Sequence, residues 1–340
     1  MVFLALISLF AFDPAAAREA LSHNQSREGT LTLILSLGAQ DLQVARNAPL
    51  GYPLTKVILN PKLPFRDRVL ATRALALLNG RMVTGRLRPL LTPIRKPEAV
   101  ALAREVAHTL YKLGDSGTLT AGLGSHDPEV RKISASSGAG GVALCALLQS
   151  DPWPMVRVGA AQGLAVHPDG APCLVKALNN RRPVVKAAVI TALGELGVAK
   201  VVPSLNAIAL DIQHDLQVRR ASLLALGNLS QTKVAGHVLN THLRHGEMTD
   251  LAQVAVVALS LAKAPEEVFV SALASSAPTV LLSAARALIQ RNRKRYSKAV
   301  KEIKGKLSGR FREQLELILI SPVSAHSLGK DLITDAPEDE

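Results

Sequence analysis

The sequence predicts an all-α protein, a solenoid of about eight stacked helical hairpins. Three observations carry that expectation. Apolar residues make up 48% of the 340 residues and aromatics only 3%. The apolar share lies in Ala, Leu and Val, which suits closely packed helices and argues against strand-rich or aromatic-lined folds. Second, four segments are self-similar: VRKISASSGAG from Val130, VRVGAAQGLAV from Val156, VVKAAVITALGEL from Val184 and VRRASLLALGNL from Val218. Each sets a β-branched residue beside a basic one, then small residues and usually a Leu. Third, the turns carry helix-start chemistry: Asp127-Pro128-Glu129 offers an N-cap, a proline at the first helical position and an acid at the positive dipole end. A solenoid grows by adding units, so a chain long enough for two ordinary domains serves equally as one elongated array.

In chain order, residues 1–17 read as a secretory signal peptide. The apolar run MVFLALISLFAF is followed by Ala15, Ala16 and Ala17, a small-residue cleavage site. No Lys or Arg precedes the run and Asp13-Pro14 adjoins the cut, so a buried first helix or a misplaced start codon is the alternative. Beyond residue 17 no apolar stretch reaches the roughly 18 residues that span a bilayer, and a soluble mature protein is expected. Residues 18–62 read as a degenerate capping unit. In it TLTLILSLG has the alternation of a strand, whereas QDLQVARNA and YPLTKVILN read as short helices. Residues 63–321 are the repeat array, and residues 322–340, with Asp331, Asp335, Glu338, Asp339 and Glu340 against Lys330, read as a disordered acidic tail.

Inside the array the small-Leu step recurs at Ala76-Leu77, Thr109-Leu110, Ser137-Gly138, Gly163-Leu164, Ala192-Leu193, Ala225-Leu226, Ala258-Leu259 and Ala287-Leu288. Asp151-Pro152 and Asp215-Leu216 repeat the helix-start signal before Val156-Arg157 and Val218-Arg219, and GVALCALLQS and APCLVKALNN supply partner helices. The unit is helix, short turn, helix. The pattern LL-x-x-D-x-x-x-VR-x-x-A-x-x-ALG-x-L resembles the HEAT repeat family, especially its short bacterial form first known in phycobilin lyases. The resemblance spans about residues 63 to 320 and is best from Asp127 to Leu229. It implies a right-handed superhelix whose concave face is lined by the second helix of each unit. It also implies a ladder in which Asp127, Asp151 and Asp215 face Arg131, Arg157, Lys186 and Arg219, broken near Lys186, where Arg181 and Arg182 take the place of an acid. Capping and inter-repeat pairing make these residues structural.

The formal charge is +13, densest where Arg286, Arg291, Arg293, Lys294, Arg295, Lys298, Lys301, Lys304, Lys306, Arg310 and Arg312 meet a single acid, Glu302. Such density over one helical hairpin attracts anions, whether acidic proteins, phosphates or lipid headgroups; the alternative is a polar outer face that keeps a terminal repeat soluble. Only Tyr296 and Phe311 are placed to stack on bases, so nucleic-acid binding is expected to be weak and salt-sensitive. Fold-back of the acidic tail onto the cluster is a further possibility.

Enzymes of related folds leave residue signatures that this chain lacks. Deoxyhypusine hydroxylase holds two irons with His-Glu dipeptides, and none of the nine histidines precedes a Glu. Alkylpurine DNA glycosylases line a basic groove with aromatics, against a single Trp153 in a Pro-rich turn. There is no GxSxG, P-loop or GxGxxG. His126-Asp127 and His214-Asp215 recur in turns, but the caps explain the acids, and no metal or other cofactor is expected. Cys145 and Cys173 are compatible with one disulfide in an exported protein. On aligned helices they sit two positions apart, about 200° around the axis, so pairing needs a register shift; the alternative is two small buried apolar side chains. The expectation is therefore a monomeric, non-catalytic binding scaffold of the periplasm or cell envelope, with an acidic protein as partner. The rivals are a lyase-type enzyme or subunit, and weak nucleic-acid or anionic-membrane binding by residues 286–312, cytoplasmic if residues 1–17 are not a leader.

Overall fold

The computed structural model describes residues 12–92 and 95–320. The apolar run of residues 1–11 and the acidic segment 322–340 lie outside the described residues. The chain divides into two compact units, residues 1–163 and 164–340. Every regular element among the described residues is helical, and no helix there is long and apolar enough to cross a membrane.

The first unit contains α1 Pro14–Ala20, α2 Asn24–Leu35, α3 Ala39–Asn47, α4 Gly51–Leu59, α5 Phe65–Leu77, α6 Pro97–Leu113, α7 Ser116–Leu119, α8 Pro128–Ser136, α9 Gly141–Ser150 and α10 Pro154–Leu164, which ends at the unit boundary. Helices α2, α5, α6 and α8 pack one on the next as its spine. The second spans α11 Ala171–Ala177, α12 Pro183–Glu195, α13 Val202–Leu210, α14 Leu216–Asn228, α15 Lys233–His245, α16 Thr249–Leu261, α17 Glu266–Ala272, α18 Pro278–Glu302 and α19 Gly309–Ile320. There α12, α14, α16 and α18 form the spine, and α11, α13, α15 and α17 each back onto it.

Glycine lets the spine close up. A Cβ on Gly227 of α14 would stand 2.6 Å from the Ala258 carbonyl of α16, and one on Gly194 of α12 would stand 2.7 Å from the Ala225 Cα. The Ala-Leu-Gly step is thus the place where successive backbones touch. Five spine helices also stop in the same way. Asn79, Gly114, Gly197, Ser230 and Lys263 have positive φ, and the next N–H in each case returns to a carbonyl five residues back: Leu75, Leu110, Leu193, Leu226 and Leu259, at 2.8–3.1 Å. This closes the orphan carbonyls of the last turn.

Several expectations change. Segment TLTLILSLG is helical, within and just beyond α2, rather than a strand. Leu31 and Ile34, three residues apart, are both fully buried, and the Thr30 and Thr32 hydroxyls donate back to the Ser26 and Glu28 carbonyls at 2.9 Å, an option open only in a helix. In the first unit two backing helices are replaced by 3₁₀ segments, Arg81–Leu91 and Thr120–Gly124, because Pro89 and closely spaced glycines deny α geometry. In α12 the valine that enters the core at the start of the repeat segment is Val185, with Val189 one turn on, while Val184 is 44% exposed. At the start of the described residues Asp13 caps α1 through the Ala15 and Ala16 N–H groups, and Phe12 and Ala17 are buried.

Candidate functional site

The repeat turns come first, because they decide which charges are spent. Asp127 caps α8, accepting from the Glu129 and Val130 N–H groups at 3.1 Å, and Asp215 caps α14 through Gln217 N–H at 2.8 Å. Asp151 differs from the expected N-cap. α10 begins at Pro154, and the Asp151 carboxylate instead closes a turn with Trp153 N–H at 2.9 Å. Asn180 and Asp211 form the same i to i+2 turn with Arg182 and Gln213, each at 2.9 Å. Asn180 is therefore the aligned residue before Lys186, polar in the right way but uncharged.

The ladder forms only in the first unit and in a different register. Arg104 grips Asp127 at 2.6 and 3.0 Å, and Arg131 grips Asp151 at 2.8 and 3.2 Å. Each arginine thus serves the acid of the following turn. Burial pushes the Asp127 carboxyl up, but the Arg104 guanidinium and the two backbone N–H donors outweigh it and hold it below the usual carboxylate range. Arg157 and Arg219 reach carbonyls instead, at Asp151 (2.5 Å) and Ala209 (3.2 Å), and among the described residues neither they nor Lys186 pairs with an acid. Sequence reasoning missed that this is a recurring device. Arg27, Arg68 and Arg131 likewise donate to the carbonyls of Leu21, Ile58 and Ser125, at the end of the preceding helix. It also missed the buried pair Arg27–Asp67, 3.5 Å apart.

The basic cluster of α18 and α19 is partly consumed. α18 kinks at Asn292 (φ −155, ψ 88), whose Oδ1 accepts from Arg295 N–H at 3.0 Å and caps a second helical segment. Arg291 donates to the Ala264 carbonyl at 2.5 Å and stacks on Phe269. Arg293 donates to Leu319 and Ile320 at 3.2 and 3.3 Å. Arg295 pairs with Glu266 at 3.0 Å, Lys304 with Glu316 at 2.6 Å, and Lys306 donates to Leu273 at 3.0 Å. What remains is a row. Lys294, Lys298 and Lys301 are exposed at spacings of four and three on one face of the second segment of α18, with Arg310 and Arg312 exposed on α19. None of these five has an ion-pair partner among the described residues. Arg286 is half-buried. The two aromatics expected to stack on bases are occupied: Tyr296 is buried and donates its hydroxyl to Glu266, and the Arg310 guanidinium covers Phe311.

An open cleft of about 880 Å³ in the first unit is walled by Leu21, Leu50, Tyr52 and Val57, with Asp13 and Glu19 offsetting Arg18 and Lys56. In the second unit His242 and Ser275 form a buried imidazole–hydroxyl contact of 2.9 Å. It is sealed from solvent, its outer nitrogen lies 3.3 Å from the Glu247 carbonyl, and Ser275 in turn accepts from Ala277 N–H, so the pair locks α15 to the turn before α18. Both cysteines, Cys145 and Cys173, are disulfide-bonded and neither is a free thiol.

Fold and turns together define a helical-repeat protein. Residues 142–227 match the family of HEAT repeats. The solved complex of CpcE and CpcF of phycocyanin lyase from Nostoc sp. PCC7120 is similar at 19% identity, covering 84% of this chain and 97% of that one, with a TM-score of 0.40. No curated protein matches the chain. The expectation that the chain is not an enzyme is corrected here: the solved structure it is similar to is that of a lyase.

Proposed function

We propose that this chain is a repeat scaffold, of the kind that serves as a binding protein or a lyase-type subunit, and that it engages an acidic protein partner outside the cytoplasm. The observation that carries the partner's chemistry is the row Lys294, Lys298 and Lys301, three exposed cations with no ion-pair partner among the described residues, on a helix where Arg291, Arg293 and Arg295 are each engaged by a carbonyl or an acid. Charge left unpaired on a rigid element costs little to desolvate against carboxylates and steers them in. An acidic protein is favoured over nucleic acid because Tyr296 is buried and Arg310 covers one face of the half-buried Phe311, which leaves little ring surface for base stacking. The disulfide-bonded cysteines and the apolar run before Ala15-Ala16-Ala17 support an oxidising compartment.

Fluorescence anisotropy with a labelled oligoglutamate peptide and a single-stranded oligonucleotide tests this. The peptide is expected to bind, to weaken steeply between about 50 and 200 mM salt, and to lose at least about tenfold in affinity in the Lys294→Ala, Lys298→Ala, Lys301→Ala protein. Unchanged affinity in that variant, or tighter binding of the oligonucleotide, overturns the partner assignment. Turnover on adding a phycobilin and an acceptor protein would make the lyase-type subunit the working function.

A further inference from the structure

The chain leaves α19 beside this same row of lysines. Arg293, the residue before Lys294, donates to the carbonyls of Leu319 and Ile320, the last described residues. Eleven residues later the sequence turns acidic, at Asp331, Asp335, Glu338, Asp339 and Glu340, with Lys330 the one cation after residue 320. Eleven residues span up to about 36 Å. Lys294 to Lys301 covers only about 10 Å along α18. Each of the three lysines is therefore within reach of the first acid, and the acids that follow extend the range. Opposite charges tethered this closely meet at an effective concentration on the order of millimolar, enough for several weak carboxylate–ammonium contacts to be populated at low salt.

We infer that the acidic segment 331–340 docks on the Lys294–Lys298–Lys301 face of its own chain and competes there with the acidic partner. The inference rests on the partner surface proposed above and adds its regulation. The segment stands in for the partner's carboxylates when none is bound, and a partner must displace it. Affinity is then set by the difference between two acidic ligands, and weakly acidic competitors are rejected.

Two measurements on the full chain test it. Zero-length carbodiimide coupling, followed by peptide mass spectrometry, should join carboxylates of 331–340 to Lys294, Lys298 or Lys301 in a yield unchanged by tenfold dilution. Neutralising the segment (Asp331→Asn, Asp335→Asn, Glu338→Gln, Asp339→Asn, Glu340→Gln) should tighten oligoglutamate binding by about threefold or more at low salt, the gain vanishing at high salt. Absence of those cross-links, or equal affinity of the neutralised and parent chains while the triple-lysine variant still loses binding, overturns the tethered competitor and leaves the partner surface standing. Cross-links in the parent, with no oligoglutamate binding by either the parent or the neutralised chain, retain the intramolecular contact and overturn the partner surface instead.

Discussion

At the residue scale, Asp127 does two things with one carboxylate: it caps α8 and takes the Arg104 guanidinium. Replacing it with Ala removes a cap worth about 0.5 to 2 kcal/mol, a fall of a few degrees in melting temperature. Asp127→Asn keeps a capping oxygen but loses the charge, and its pH dependence is the sharper test. The folded carboxyl titrates below its unfolded value of about 3.9. Its charge-dependent stabilisation is therefore full above that value and disappears as pH falls through the lower folded one. Urea melts should show parent and Asp127→Asn separated at pH 7 and converging below about pH 4. A constant separation would mean that the charge contributes nothing. The positions of Asp127 and Asp215 as caps were legible from Asp followed by a helix-permitting residue and Val-Arg. The role of Asp151 was not. Two extra residues before Pro154 turn the same side chain into a turn-closer, and only the backbone path decides between the two.

At the element scale, the spine helices depend on close approach and on how they stop. Gly227→Ala should destabilise by about 1 to 3 kcal/mol, since its methyl meets the α16 backbone, which has no rotamer to yield. Denaturant midpoints that do not move would show that α14 and α16 can separate cheaply. Lys263→Gly should do the reverse and stabilise by about 0.5 to 1 kcal/mol, because Lys263 holds a left-handed conformation that glycine adopts without penalty. Gly197 announces its helix end in the sequence. Asn79-Gly80 and the Pro265 that follows Lys263 are weaker local signals of the same kind, whereas Ser230 offers none of its own. The same holds for the kink at Asn292, where an asparagine within a basic stretch reads as solvated surface until its side chain is seen to cap the following turn.

At the scale of the whole molecule, the disulfide state bears on compartment. Native protein should show no titratable thiol in denaturant before reduction and two afterwards, matching Cys145 and Cys173; a thiol signal before reduction would weaken the case for an oxidising environment. Composition, the Val-basic-small-Leu recurrence and the Asp-Pro turns were sufficient to determine an all-helical repeat chain, because helix periodicity and capping are local chemistry that a sequence displays directly. Which charges are spent was decided only by tertiary structure. Arg104, Arg131, Arg291, Arg293 and Lys306 look alike in the sequence, yet each finds an acid or carbonyl from a distant segment, while Lys294, Lys298 and Lys301 find none among the described residues. A cation is engaged by whatever acceptor the fold brings within hydrogen-bond reach of it, and is neutralised only where that acceptor is a carboxylate; the neighbour is fixed by how helices stack, not by the residues alongside it in the chain.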